Sequence, residues 1–256
     1  MSTPIKVCTF NILTHHGRYP DRFFKRMPNI YTAIKEEKAD FIGFQEVQPE
    51  AQDWLKSAFP EYGIIGCGRD ADLRGESNPI LYNKERFDLC WLDMVWLSPT
   101  PSIPGTRFEE QSMCPRICVA ARFYDRVDRR LIAVYNTHLD HEGENDRQLG
   151  MRQILAKIEK DCDLFDIPVI MTGDFNAEPN SVAITETLAF ERHPLCDVTK
   201  DLAYTFHNFG QCKVKIDYIF ADKNVKASDV KLWNNYDTEA AFISDHYPVS
   251  AVLEFN

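Results

Sequence analysis

The feature that most restricts the fold of this chain is the recurrence of short, β-branched apolar runs along nearly its whole length. They fall at Ile5–Ile12, Asp40–Gln45, Tyr62–Cys67, Pro79–Tyr82, Phe87–Leu97, Ile117–Phe123, Leu131–Thr137, Pro168–Thr172, Lys215–Phe220, Val225–Trp233 and Tyr247–Phe255. Each has the length and residue types of a strand. Helical spacing is rarer. Met151, Ile154, Leu155 and Ile158 fall at i, i+3, i+4 and i+7 within Glu144–Cys162, which predicts one core-facing helix. Phe23, Met27, Ile30 and Ile34 predict a second, interrupted near Pro28, and Glu50–Phe59 a third. Eleven strands with so few helices are too many for one doubly wound sheet. They predict two packed sheets flanked by helices, an α/β sandwich of four layers.

No repeat, low-complexity tract or long Gly/Ser/Pro linker divides the 256 residues, so a single domain over 1–256 is expected. Ser98–Cys114, with Pro99, Pro101, Pro104 and Gly105, shows neither period and reads as a long loop. No stretch approaches the roughly 18 apolar residues of a membrane span, and Met1–Phe10 lacks the layout of a secretory signal. The eight cysteines form no CxxC pair, so reduced, buried, structural thiols and a cytoplasmic location are expected. A net charge of -10 argues against a broad basic surface that grips duplex nucleic acid. It is compatible with phosphate chemistry if a divalent cation supplies the positive charge.

Residues suited to metal ligation or proton transfer stand at the ends of these strand runs: Asn11, Glu46, Asn136, His138, Asp174, Asn176, Asp217, Asp245 and His246. Taken singly, each is as readily a turn former or a hydrogen-bonded structural residue. Together they belong to six short motifs in order: Thr9-Phe10-Asn11-Ile12, Gln45-Glu46-Val47, Asn136-Thr137-His138-Leu139, Gly173-Asp174-Phe175-Asn176, Ile216-Asp217-Tyr218-Ile219 and Ser244-Asp245-His246-Tyr247-Pro248. This series resembles the endonuclease/exonuclease/phosphatase superfamily, in a bacterial-type branch, from Thr9 to Pro248.

The resemblance implies the two-sheet fold of deoxyribonuclease I, with mixed sheets, and a magnesium-dependent hydrolase of phosphate esters in which manganese can substitute. It places Asn11, Glu46 and Asp245 on the metal. His138, Asp174, Asn176, Asp217 and His246 become catalytic, Asp217 orienting His246, and the general base is left open between Asp174 and His246. Arg116, Asn136 and Asn176 would contact the substrate phosphate, and Glu76 would be the acidic partner of His138. Apurinic endonucleases carry a tyrosine where His138 stands, which counts against a repair enzyme. Asp140 and His141, and His15 and His16, are weaker candidates for the border of the site.

The leading expectation is therefore a phosphodiesterase acting on a nucleic acid, single-stranded nucleic acid included, or on a small nucleotide-like diester. A lipid or inositol phosphate hydrolase is the alternative, weakened because the Ile216 segment lacks the Cys-Asp-Arg wording of inositol 5-phosphatases. A non-catalytic binding module would have lost metal or acid/base residues, and none is missing here.

Overall fold

The computed structural model describes residues 2–14, 22–162, 167–238 and 242–255. Within them the first sheet contains β1 (Ile5–Asn11), β2 (Phe41–Gln45), β3 (Tyr62–Ile65), β4 (Ile80–Asn83), β11 (Lys226–Leu232) and β12 (Val249–Glu254), in the order β11-β12-β1-β2-β4-β3. The second contains β5 (Phe87–Trp96), β6 (Ile117–Asp125), β7 (Arg130–His138), β8 (Val169–Asp174), β9 (Leu195–Asp197) and β10 (Asp217–Asp222), in the order β5-β6-β7-β8-β10-β9. Two pairs are parallel, β1 with β2 and β7 with β8, and the other paired strands run antiparallel. Parallel neighbours need a crossover, and helices α1 (Arg22–Glu37) and α3 (Glu144–Cys162) supply the two. The result is the expected four-layer sandwich of two mixed six-stranded sheets between helices.

The strands read as near-continuous apolar runs because most are covered on both faces. Along β1, Ile5 and Val7 point into the layer between the sheets with Phe41, Val119, Val134, Ile170 and Val249, while Cys8 and Phe10 face the outer helices. Ile30 and Ile34 of α1 and Leu55 of α2 (Pro49–Ala58) cover the first sheet. Met151, Ile154, Leu155 and Ile158 of α3 cover the second, as their spacing requires. Burying even four such side chains contributes on the order of 6–12 kcal/mol of transfer free energy.

Three local expectations are revised. Helix α1 continues through Pro28, because the buried face made by Phe23, Ile30, Ala33 and Ile34 outweighs the local cost of one proline. The short α4 (Val182–Leu188) and the three-residue β9 are additional elements, too short to carry a readable period. The eight thiols are free, as expected, but Cys90 is exposed and four others are only half-buried.

Directly beneath one end of the sandwich the interlayer turns polar. Asn136, expected at the substrate, belongs to this layer: its side chain is fully buried, and its Nδ2 donates to the carbonyls of Phe44 (2.7 Å) and Asn78 (3.1 Å). Its Oδ1 accepts from Gln45 Nε2 (2.8 Å) and Thr172 Oγ1 (3.0 Å), so both ends of the amide are committed to joining the sheets. Gly43 permits this approach, since a Cβ there would lie 2.1 Å from Thr172 Oγ1 and 2.6 Å from Asn136 Oδ1.

Candidate active site

The parallel pairs set the location. Strands β1, β2, β7 and β8 end at the same pole of the sandwich, delivering Asn11, Gln45, His138 and Asp174, with Glu46 one residue beyond β2. Asp217 opens β10 directly opposite Asp174 in the antiparallel register, and Asp245 and His246 precede β12, which runs antiparallel to β1. Glu46 and Asn176 both adopt left-handed backbone conformations, with φ of 61° and 46°, immediately past their strands. Such conformations are uncommon for residues other than glycine, and they cluster where a side chain must be aimed.

Asp174 is the centre of the cluster. Its Oδ1 accepts from the Asn176 backbone N–H at 2.9 Å. Its Oδ2 accepts from Asn11 Nδ2 at 3.0 Å and lies 3.6 Å from His138 Nε2 and 3.8 Å from His246 Nε2. Burial, and next to it the charge of Asp217, raises the Asp174 carboxyl to about 7. The two histidines are driven in opposite directions. Burial alone would favour the neutral ring of His246. The charge of Asp217 and a 2.9 Å hydrogen bond between Asp217 and Nδ1 outweigh it and push His246 well above its usual range. Burial and then the charges of Arg116 and Arg69 push His138 well below its own. His138 is accordingly neutral, its Nε2 accepting from Asn176 Nδ2 at 3.0 Å, and its buried Nδ1 has no hydrogen-bond partner among the described residues.

Two groups of side chains could hold a cation. Asp174, Asp217 and His246 place ligand atoms within 4.8 Å of one another. In it Asp217 is already engaged by His246 Nδ1 at 2.9 Å, the geometry of a hydrogen-bonded carboxylate–histidine relay. Glu46 and Asp245 suit a hard cation better. Each is partly buried, neither makes an ion pair with Lys or Arg among the described residues, and Glu46 helps to raise the carboxyl of Asp245 after burial does. A divalent ion relieves that like-charge repulsion through oxygen ligands. Asn11 presents its Nδ2 to Glu46 (3.0 Å) as well as to Asp174, while its Oδ1 accepts from the Leu13 N–H. As placed, it bridges the carboxylates, and a ligand role would need its oxygen to turn toward them.

Glu76 departs from expectation. It is paired with Arg69 at 2.8 Å, not with His138, because bridges from Ser77 to Val47 and to Gly68 fold residues 68–77 back so that Arg69 and Glu76 face each other. Arg116 is buried among His141, 2.8 Å from its Nη2, and Asp140, 3.8 Å from its Nε. Its Nε and Nη1 have no hydrogen-bond partner among the described residues. Asp140 is satisfied elsewhere, by Ser112 and by the N–H groups of Glu142 and Gly143. His15 and His16 lie outside the described residues. Sequence reading missed Arg69, a single arginine in a loop with no periodic neighbour, and Phe206, whose ring lies 4.7 Å from that of His246.

A sequence model of the Endonuclease/Exonuclease/phosphatase family matches residues 8–246. The fold is similar to that of an endonuclease/exonuclease/phosphatase from Bacteroides vulgatus, at 29% identity over 100% of both chains with a TM-score of 0.90. It is also similar to a mannosyl-6-phosphatase of Bacteroides thetaiotaomicron, at 26% identity over 98% of this chain and 100% of the other, TM-score 0.87. The human Nocturnin catalytic domain shares the fold at 19% identity over 99% and 95%, TM-score 0.80. No curated protein matches the chain.

Proposed function

The chain belongs to the endonuclease/exonuclease/phosphatase family, whose members hydrolyse phosphoesters, and from that premise we propose a magnesium-dependent phosphoester hydrolase acting on a small phosphorylated molecule. The observation that carries this reading is the placement of two histidines about one buried carboxylate, His138 Nε2 at 3.6 Å and His246 Nε2 at 3.8 Å from Asp174 Oδ2, with Asp217 on Nδ1 of His246 at 2.9 Å. Asp217 draws His246 upward from its usual range, while burial and the charge of Arg116 draw His138 downward. Environments that push neighbouring groups apart in this way assign acid and base roles.

In this reading Asp174 accepts the proton of the attacking water, since its carboxyl is ionisable near neutrality, whereas His246 already carries its proton. His246 contributes positive charge to the phosphoryl oxygens as the bond to the leaving oxygen breaks, and Asp217 fixes its tautomer. Asn176, locked by Leu139 O and His138 Nε2, orients His138. Arg116 Nε and Nη1 and His138 Nδ1, which have no hydrogen-bond partner among the described residues, are buried donors that suit a substrate phosphate. When bound at Glu46 and Asp245, with Asn11 beside them, magnesium would supply Lewis-acid neutralisation of phosphate charge.

The relative that is a mannosyl-6-phosphatase supports a small substrate. A nucleic acid or nucleotide-like diester is the second reading, favoured by the rings of Phe206, Phe209, Phe242 and Tyr247 grouped around His246 and His207. Lipid and inositol phosphates have no comparable support. The test is steady-state turnover of Asp174→Asn and His246→Ala in magnesium. Each should lose on the order of 10² or more in kcat with the fold intact. Unchanged turnover in both would remove the carboxylate–histidine pair from catalysis.

A further inference from the structure

Arg69 has no role in the chemistry above, yet the chain goes to some length to bury it beside the site. Its backbone N–H donates to Glu76 O at 3.0 Å, and its carbonyl accepts from the Trp96 indole N–H at 2.6 Å. The loop around it is tightly built: a Cβ on Gly68 would lie 2.0 Å from Arg74 O, and Gly75 has a φ of +73°. The Arg69 side chain is only 10% exposed, and Glu76 holds it at 2.8 Å. Its charge bears on Arg116, where it is second only to burial in disfavouring the cation, and on His138. The Trp96 indole that binds the Arg69 carbonyl belongs to a strand residue registered opposite Ile117, and the next residue, Leu97, donates its N–H to Arg116 O at 2.8 Å, so two buried arginines stand on adjoining segments; Nε and Nη1 of Arg116 have no hydrogen-bond partner among the described residues. Each arginine faces one carboxylate, Glu76 at 2.8 Å from Arg69 and Asp140 at 3.8 Å from Arg116 Nε, and the donors of Arg116 left over suit the several acceptor oxygens of a phosphate.

Resting on the phosphoester-hydrolase reading, we infer that Arg69 and Arg116 form a two-guanidinium seat for a doubly charged terminal phosphate, so that the enzyme selects phosphomonoesters over diesters. A monoester carries about 1.5 to 2 negative charges at neutral pH and three acceptor oxygens, whereas a diester carries one charge. Arg116 alone meets the needs of a diester. The second guanidinium is matched only by the dianion. Glu76 is the positioning residue: it aims Arg69 and balances its charge while the seat is empty of substrate.

The experiment compares para-nitrophenyl phosphate with bis-para-nitrophenyl phosphate, in magnesium, for the wild type, Arg69→Met, Arg69→Lys and Glu76→Gln. The loss of one charge-assisted contact amounts to about 10- to 100-fold. Arg69→Met should lower kcat/KM on the monoester by that factor and leave the diester within about threefold, and Arg69→Lys should recover part of the loss. Inorganic phosphate should inhibit the wild type and inhibit Arg69→Met correspondingly less. Glu76→Gln should raise KM for the monoester with little change in kcat. A parallel fall on both substrates, or no change on either, would overturn the inference. Because Arg69 packs in a rigid loop, Arg69→Lys and the phosphate inhibition constant carry the test if Arg69→Met is unfolded by circular dichroism. A wild type that hydrolyses neither ester in any divalent metal would instead defeat the hydrolase reading itself.

Discussion

At the scale of single residues, the site is a set of ionisable groups whose states depend on one another. Asp174 binds its proton more tightly in the folded protein, up to about 7, than in the unfolded chain, where it has an ordinary carboxylate range. A group raised by folding stabilises the native state in acid, and that contribution is lost as pH climbs from about 4 through about 7. His246 is raised too, so its share is lost at still higher pH. In EDTA, Asp174→Asn should therefore match the wild type in urea midpoint near pH 4 and exceed it near pH 8. Equal midpoints at both values would mean that Asp174 is not under electrostatic strain. The residues of the six motifs were legible from sequence because each closes an apolar run. Their partners were not. The resemblance gives Glu76 to His138, but the fold of residues 68–77 gives it to Arg69, and the resemblance gives Asn136 to the substrate phosphate, but the packing of the two sheets encloses that side chain.

At the scale of elements, the polar layer beneath the site joins two sheets whose inner faces are otherwise apolar. Gly43→Ala would drive a methyl into Thr172 Oγ1 and Asn136 Oδ1, so a loss of about 2 kcal/mol or more is expected in chemical denaturation. Asn136→Ala would strand the Phe44 carbonyl and remove one of the acceptors of the Gln45 amide, and should cost about 1–3 kcal/mol, with activity falling only as the folded fraction falls. A kcat loss in fully folded Asn136→Ala would return that residue to the substrate. Strand runs and the α3 period were readable because burial on one or both faces writes itself into residue type. Pro28 was read as a break because its local cost is visible in sequence and the compensating contacts of α1 are not. Helix α4 and strand β9 are held by contacts to α3 and β10, which local sequence does not display.

At the scale of the whole molecule, two βαβ crossovers bring four strand ends to one pole. With a net charge of -10, affinity for duplex DNA should be weak and should change little between about 50 and 200 mM salt, unlike a protein that neutralises many phosphates. A steep salt dependence measured by fluorescence anisotropy would point to an extended nucleic-acid surface. Among the described residues no helix is long and apolar enough to cross a membrane. The central claim is that this pole performs metal-dependent phosphoester hydrolysis. Its most direct measurement is the release of para-nitrophenol from mono- and bis-para-nitrophenyl phosphate by purified protein in magnesium, then in EDTA, then with magnesium restored. Turnover that disappears in EDTA and returns with the metal is the expected result. Turnover unaffected by EDTA, or absent with every divalent metal tried, would contradict it.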